Sequence, residues 1–169
     1  MYGDDIYRFL VYFTGSTDVE DILQDTFVRA IRSFDTFRGE STPKTWLLKI
    51  ARNLVVDQSR QHRFARTDAH AMDDWHSHEK PIEDLIVEND SVSRLMETLQ
   101  ALDEKYRSVL LLRCLHELSF KEISRLLGYN EITARSRFMR AKRQAETVLV
   151  HFRRMHSHEQ IEESNRETV

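Results

Sequence analysis

The sequence contains little of what disulfide frameworks, strand-rich folds and membrane spans require. Its 169 residues include one cysteine, Cys114, which excludes an intramolecular disulfide and any multi-cysteine zinc or iron–sulfur site. Four glycines and two prolines are too few for the many turns of a strand-rich fold. The longest apolar run, Phe9 to Phe13, is five residues, whereas a membrane span needs about 20.

Recognisable enzyme motifs are absent as well. There is no Gly-rich phosphate loop, nucleophile elbow, metalloprotease helix or nucleophile–base pair. The first residues do not combine a basic segment, a longer apolar stretch and a cleavage site, as a signal peptide does. We therefore expect a protein that is not an enzyme, needs no cofactor or metal, and works in a reducing cytoplasm.

What the sequence does have is charge sorted into blocks. The net charge is −3, but residues 27–66 carry +6 and residues 105–154 carry +8. An acidic block of −9, residues 67–104, separates them. Two basic blocks suit binding to a polyanion such as nucleic acid, although solvated helix faces would give the same composition.

Apolar residues recur at helical spacing through the first part of the chain. The spacing predicts a helix over Asp5 to Phe13 and a second one capped by Thr17, with Glu20 completing a capping box. We expect the second helix to pack through Val19, Ile22, Leu23, Phe27, Ala30, Ile31 and Phe34. After a turn-like segment, Thr42 and Pro43 predict the start of a third helix, which runs to about Gln61.

The second part of the chain predicts a helix-turn-helix. Helical spacing resumes between Asp103 and Leu115, and Ser119 with Glu122 forms a second capping-box pattern. Gly128 marks a tight turn before a long helix that starts at Glu131 and reaches about Phe152. We expect this last helix to lie in the major groove and to pack through Ile132, Ala134, Phe138 and Ala141. An amphipathic helix hairpin has the same spacing.

These motifs resemble a known family. LDEKYR, LSFKEISRLLG and TARSRFMRAKR, between Leu102 and Arg143, resemble region 4 of the extracytoplasmic-function, or group IV, sigma factors of RNA polymerase. VEDILQDTF from Val19 resembles region 2.2, and FRGESTPKTWLLKIARNLVVDQSRQHR from Phe37 resembles regions 2.3 and 2.4. The motifs follow the family's order, from about Asp4 to Ala145.

The resemblance implies an all-α fold of two small helical domains. Residues 1–64 would form the region 2 bundle, and residues 95–152 the region 4 helix-turn-helix. Residues 65–94 would form a flexible acidic linker, and residues 153–169 a disordered tail. The function implied is directing core RNA polymerase to promoters and initiating transcription. The alternative from another class is a stand-alone helix-turn-helix regulator.

The resemblance also implies three sets of binding residues. Core polymerase would bind the second helix at Asp21, Gln24 and Asp25, spaced to share one exposed face, which without the family would be read as a solvated acidic face. The melted −10 element would contact Arg38, Lys44, Lys49, Arg52, Asn53, Arg60 and Arg63. The −35 element would contact Thr133, Arg135, Ser136, Arg137, Arg140 and Arg143. Partners would be the β′ clamp and β flap of core RNA polymerase, promoter DNA, and an anti-sigma factor, often membrane-anchored in relatives.

Several residues remain open to two interpretations. Trp46 lies on the apolar stripe of the third helix, so core packing is favoured over base stacking. His76 and His78 beside Asp73, Asp74 and Glu79 have the chemistry of a metal site, but exposed histidines in a linker are the ordinary explanation. Ala134 stands where the family commonly has a larger aliphatic residue, so we expect the recognition helix to seat differently.

Overall fold

The computed structural model describes residues 2–68 and 90–146, with side chains for residues 2–61 and 92–146. These residues form seven α-helices and one 3-10 turn, Phe34–Thr36, and contain no strand. The helices are α1 Tyr2–Thr14, α2 Glu20–Arg32, α3 Pro43–Asp68, α4 Asp90–Ala101, α5 Glu104–Cys114, α6 Phe120–Leu127 and α7 Glu131–Gln144. The all-α expectation is confirmed. The predicted linker histidines and the tail lie outside the described residues.

Helices α1, α2 and α3 pack on one another and form the N-terminal half. The buried face of α1 consists of Ile6, Phe9, Leu10 and Phe13, at the helical spacing that the sequence predicts. These residues belong to the same hydrophobic core as Leu48 and Ala51 of α3, on which α1 packs. The start of α3 is also as expected, because the Thr42 hydroxyl accepts a hydrogen bond from the backbone N–H of Thr45 at 3.1 Å.

The predicted capping box at the start of α2 is wrong. Val19, not Thr17, is the N-cap residue of α2, and no side chain caps the helix. The Val19 side chain is buried in the core, so its packing fixes the backbone there. Thr17 instead accepts a hydrogen bond from the Val19 N–H through its backbone carbonyl, at 3.0 Å.

Helix α5 lies at the centre of the C-terminal half. Residues Val109, Leu110, Leu111 and Leu112 are all fully buried, so apolar side chains leave the helix in every direction. Helices α1, α6 and α7 all contact α5. The sequence predicts only one buried stripe here, whereas the structure surrounds the helix.

The two halves of the chain contact each other directly. Helix α1 packs on α4 and α5, and α3 contacts α6. Arg107 of α5 lies at this junction, where one guanidinium nitrogen donates to the Phe13 carbonyl at 2.6 Å and to Gln100 Oε1 at 2.6 Å. The other donates to the carbonyls of Gln100 at 2.9 Å and Leu102 at 3.0 Å. Burial lowers the pKa of Arg107, and the nearby Glu104 partly offsets this.

We expect Arg107→Lys to destabilise the protein by about 1–3 kcal/mol. The planar guanidinium of Arg107 donates to four acceptors at once, and the ammonium group of lysine cannot reach all of them. Buried carbonyl groups would therefore lose their hydrogen-bond donors. Urea unfolding of the full chain measures the change, with Arg94→Lys on the exposed side of α4 as the matched control. Equal midpoints for both variants would contradict the role of this junction in stability.

The capping box at Ser119 generates a second prediction. The Glu122 N–H donates to the Ser119 hydroxyl at 3.2 Å, and the Ser119 N–H donates to the Glu122 carboxylate at 2.8 Å. Hydrogen bonds from the Ser119 hydroxyl and then its backbone N–H lower the pKa of Glu122 below its ordinary 4.5. Ser119→Ala should therefore lower the free energy of unfolding by about 0.5–2 kcal/mol at neutral pH.

The penalty of Ser119→Ala should also depend on pH. A carboxyl whose pKa is lowered by folding stabilises the fold fully above its unfolded pKa, and this contribution is lost as pH falls through the folded value. The difference between wild type and Ser119→Ala should thus shrink below about pH 4.5, in denaturant titrations at several pH values. Ser41→Ala serves as control, and a difference that stays constant with pH would count against the reciprocal bond.

Candidate nucleic-acid and polymerase interfaces

The turn between α6 and α7 has the geometry of a helix-turn-helix. Gly128 ends α6 in the left-handed conformation, with φ of 74°, which glycine adopts without strain. Asn130 then caps α7, its side-chain oxygen accepting a hydrogen bond from the Thr133 N–H at 2.7 Å. Ala134 and Ala141 lie on the fully buried side of α7, and their small side chains allow the helix to approach α5 closely. The predicted turn at Gly128 and the predicted capping box of Ser119 and Glu122 are confirmed, and the Asn130 cap is a further feature that the structure adds.

Most of the residues predicted to bind the −35 element lie on the outside of α7. Arg135, Ser136, Arg140 and Arg143 are exposed, and Thr133 is half-buried. Arg135 bonds Glu131 at 3.1 Å, and its guanidinium lies 4.9 Å from the centre of the Phe120 ring. These two contacts orient the Arg135 side chain before any ligand binds.

Arg137 and Arg140 are engaged within the protein. The guanidinium of Arg137 lies 4.4 Å from the centre of the Tyr129 ring, on a different side of α7 from Arg135. Arg140 donates to the Tyr106 hydroxyl at 3.4 Å, and this hydrogen bond lowers the pKa of Tyr106. The exposed face of α7 thus carries Arg135, Ser136, Arg140 and Arg143, whereas Arg137 lies on another side of the helix, over Tyr129.

The expected packing of Ile132 is wrong. Ile132 is 81% exposed, whereas Ala134 is fully buried and Phe138 half-buried. Two residues advance a helix by about 200°, so Ile132 and Ala134 cannot share a face. This helical spacing is the signal in the sequence that could have distinguished the exposed Ile132 from the buried Ala134.

The polar residues predicted to bind polymerase share an exposed face of α2. Asp21, Gln24 and Asp25 are all exposed, as the spacing indicates. Sequence reasoning missed that apolar residues continue the same face. Val28 is 41% exposed and Ile31 is 76% exposed, although the latter was expected in the core. Phe34, also expected in the core, is 64% exposed because the helix has ended before it.

Helix α3 gathers part of the set predicted to bind the −10 element. Lys49, Asn53 and Arg60 are exposed, and their spacing of four and eleven residues puts them on one face. Arg38 is exposed in the loop before α3. Lys44 lies on another side of the helix and pairs with Asp5 of α1 at 3.0 Å, and the Arg63 side chain lies outside the described residues.

Arg52 differs from the other predicted −10 residues because it contacts the C-terminal half. Its guanidinium donates to Glu104 at 2.8 Å and to the Ser108 hydroxyl at 3.4 Å. Burial lowers the pKa of Arg52, and the attraction of Glu104 opposes that effect. A residue predicted to contact DNA therefore belongs to the junction between the halves in this structure.

Three aromatic rings lie beside the loop that precedes α3. The ring centres of Phe37 and Trp46 are 5.0 Å apart, and those of Phe34 and Trp46 are 6.4 Å apart. Trp46 is half-buried, so it packs on neighbours and still presents part of its surface. Because Trp46 packs on two rings and is only half-buried, its assignment to core packing or to base stacking stays a prediction.

The described residues contain neither a cluster of metal-ligating side chains nor a membrane-spanning helix. Among them, no group of three or more His, Cys, Asp or Glu side chains is placed to hold a metal ion. None of their helices is both long and apolar enough to cross a membrane. His76 and His78 lie outside this part of the chain.

Comparison with solved structures supports the two-part helical fold. A sigma factor RpoE from Bartonella quintana, solved in complex with the anti-sigma factor NepR, superposes with a TM-score of 0.74 over 88% of this chain and 91% of that one, at 22% identity. CnrH, solved with the cytosolic domain of CnrY, gives a TM-score of 0.63 over 89% and 83% of the two chains, at 24% identity. At these identities the likeness concerns the fold.

Sequence comparison identifies the family. Residues 1–65 match the family model of Sigma-70 region 2, and residues 93–144 match Sigma-70 region 4. The ECF RNA polymerase sigma factor SigX of Bacillus subtilis is 30% identical over 77% of this chain and 70% of its own length. The ECF RNA polymerase sigma-E factor of Escherichia coli K12 is 33% identical over 77% and 73% of the two chains. The chain therefore belongs to the extracytoplasmic-function family of RNA polymerase sigma factors.

Proposed function

We propose that the exposed surfaces of α2, α3 and α7 divide the work of this sigma factor. The observation that carries the proposal is that three separate helix faces combine exposure with the matching residue types. Helix α2 would dock on core RNA polymerase, α3 would hold the melted −10 strand, and α7 would read the −35 element. The protein would supply recognition and leave the chemistry of RNA synthesis to the polymerase, in the cytoplasm where that enzyme works.

The α2 face supports docking on the β′ clamp because it joins charge to exposed apolar area. Asp21 and Asp25 are followed along the same face by Val28 and Ile31. Carboxylates would steer a basic partner and fix its register, and the exposed aliphatic groups would add apolar area that the partner covers. Apolar residues rimmed by polar ones are typical of a surface that a partner protein covers.

The α3 face supports binding of single-stranded DNA. Lys49 and Arg60 can neutralise phosphates, and Asn53 has both a donor and an acceptor for base edges. The nearby Phe34, Phe37 and Trp46 supply the ring surfaces on which an unstacked base can lie. Arg52 would join this face only after it leaves Glu104.

Reading both promoter elements requires the two halves to separate. The −10 and −35 elements are about 25 base pairs apart, which is roughly 85 Å of duplex at 3.4 Å per pair. In the structure α3 contacts α6 and α1 contacts α5, so the half that carries the proposed −10 surface is packed on the half that carries the helix-turn-helix. Polymerase binding would provide the free energy for separation, with the C-terminal half moving to the β flap. An anti-sigma factor, such as NepR in the complex with RpoE of Bartonella quintana, would bind this sigma factor and keep its two halves from contacting polymerase.

Run-off transcription tests the proposed function. The template is the DNA upstream of this protein's own gene, incubated with core RNA polymerase with and without the chain. A discrete transcript that depends on the protein supports the proposal. Absence of both a transcript and co-elution with core polymerase would contradict it, and operator binding without polymerase would favour the stand-alone regulator instead.

The division of labour predicts opposite defects for two variants. Asp25→Ala should weaken binding to core polymerase about tenfold and leave the preference for the −35 sequence unchanged. Arg135→Ala should reduce discrimination of the −35 element by about 1–3 kcal/mol and leave polymerase binding unchanged. Polymerase affinity is measured by fluorescence titration, and discrimination by competition between promoter fragments.

Matched controls separate these defects from loss of charge in general. Asp18→Ala removes an exposed carboxylate outside the α2 face, and Arg94→Ala removes an exposed guanidinium from α4. Neither should change either measurement. If Asp25→Ala and Arg135→Ala showed the same defect, the separate assignment of α2 and α7 would be wrong.

A further inference from the structure

Ile132 has a surface position that folding does not explain. Its side chain is 81% exposed, the highest value among the large apolar side chains that the structure describes. Single exposed aliphatic residues are common on protein surfaces, so exposure alone carries little weight. The location carries more, because Ile132 is the second residue of α7, in the turn that a recognition helix presents to base edges.

The neighbours of Ile132 place it on the face expected to meet DNA. Arg135 and Ser136 follow it by three and four residues, and both are exposed. Met139, seven residues on, is 49% exposed on the same side. The buried side of α7 consists of Ala134 and Ala141. A rotation of α7 that brought Ile132 inward would expose these two alanines. Ile132 is therefore committed to the outer face by the packing beneath it.

The backbone that carries Ile132 is held in place. Asn130, two residues before it, caps the helix, with 2.7 Å between its side-chain oxygen and the Thr133 nitrogen. A β-branched side chain has few χ1 rotamers, so Ile132 loses little conformational entropy when it packs on a partner. An apolar group of this kind suits an apolar target in a fixed position.

The major groove offers one such target. Among the base edges in the major groove, the C5-methyl group of thymine is apolar, whereas the nitrogen and oxygen groups are hydrogen-bond donors and acceptors. We propose that Ile132 determines specificity in the −35 element by packing on a thymine methyl group. This inference rests on the proposed function of α7. Side chains three residues apart on a helix lie about 5–6 Å apart, so the thymine lies one or two base pairs from the position that Arg135 contacts.

The test removes the methyl group from the DNA and the aliphatic group from the protein. Holoenzyme, assembled from the full chain and core RNA polymerase, first selects bound fragments from a random duplex pool. The selected −35 element is then synthesised with deoxyuridine in place of each thymine in turn, and holoenzyme affinity is measured by competition. At one thymine, loss of the methyl should weaken wild-type binding about three- to fivefold, as burial of one methyl group predicts.

The variants decide whether Ile132 makes this contact. With Ile132→Ala, deoxyuridine and thymine at that position should bind equally well, whereas Ile132→Val should keep the preference because it retains the β-branch. Tyr2→Ala, which removes an exposed apolar side chain from α1, should leave the methyl preference unchanged. Because Ile132 is exposed, none of its substitutions should disturb folding.

Three results would overturn the inference. They are a wild-type affinity that depends on no thymine methyl group, an Ile132→Ala variant that keeps the same methyl preference, and a selected element with no A·T pair within two positions of the Arg135 contact. Any of these would leave the sigma activity standing. Failure of holoenzyme to select any −35 element would overturn the proposed function of α7 and this inference together.

Discussion

Burial of α5 on every side is the constraint on which the rest of the structure depends. Four consecutive residues from Val109 to Leu112 are fully buried, so neighbouring helices must cover the whole circumference. Helices α6 and α7 cover one part and α1 covers another. One helix therefore sets the position of the recognition helix and also ties the C-terminal half to the N-terminal half.

The same arrangement explains why the junction between the halves is both apolar and precise in its polar contacts. Apolar area alone would let the halves slide, since it has no direction. Arg107 fixes the register, because its two nitrogens meet the end of α1 and the turn before α5. Arg52 with Glu104 adds a second point of attachment, partly open to water and correspondingly weaker. Separation of the halves on a promoter would expose the Phe13 and Leu102 carbonyls to water, which would replace the hydrogen bonds from Arg107. The polar contacts therefore specify the closed arrangement more than they prevent its opening.

Local signals were sufficient for the parts of the fold that local chemistry determines. The helix-turn-helix depends on contacts within a few residues, made by the capping box of Ser119 and Glu122, by Gly128 and by Asn130. The capping box and Gly128 were enough to predict the motif from the sequence. Thr42 and Pro43 likewise located the start of α3. The same reasoning failed at Thr17, where the capping pattern is present but the burial of Val19 decides the backbone. It also could not anticipate the contact of Arg52 with Glu104, because the two partners are 52 residues apart and only the packing of the two halves brings them together.

The candidate sites follow the same division between local and tertiary causes. Residue type and spacing were enough to place Asp21, Gln24 and Asp25 on one exposed face of α2. They were not enough for Ile31 and Ile132, because an apolar residue is assigned to the core by default and its exposure becomes visible only when the packing is known. In each case the helix buries its opposite side, through Thr26 and Ala30 in α2 and through Ala134 and Ala141 in α7. Small buried residues let a helix lie close to its neighbours, and the large apolar residues that remain outside are then free to meet a partner. Under the assignment proposed for α2 and α7, polymerase and DNA would both be reached through surfaces of this kind, where charge would govern approach and a few exposed aliphatic groups would govern fit.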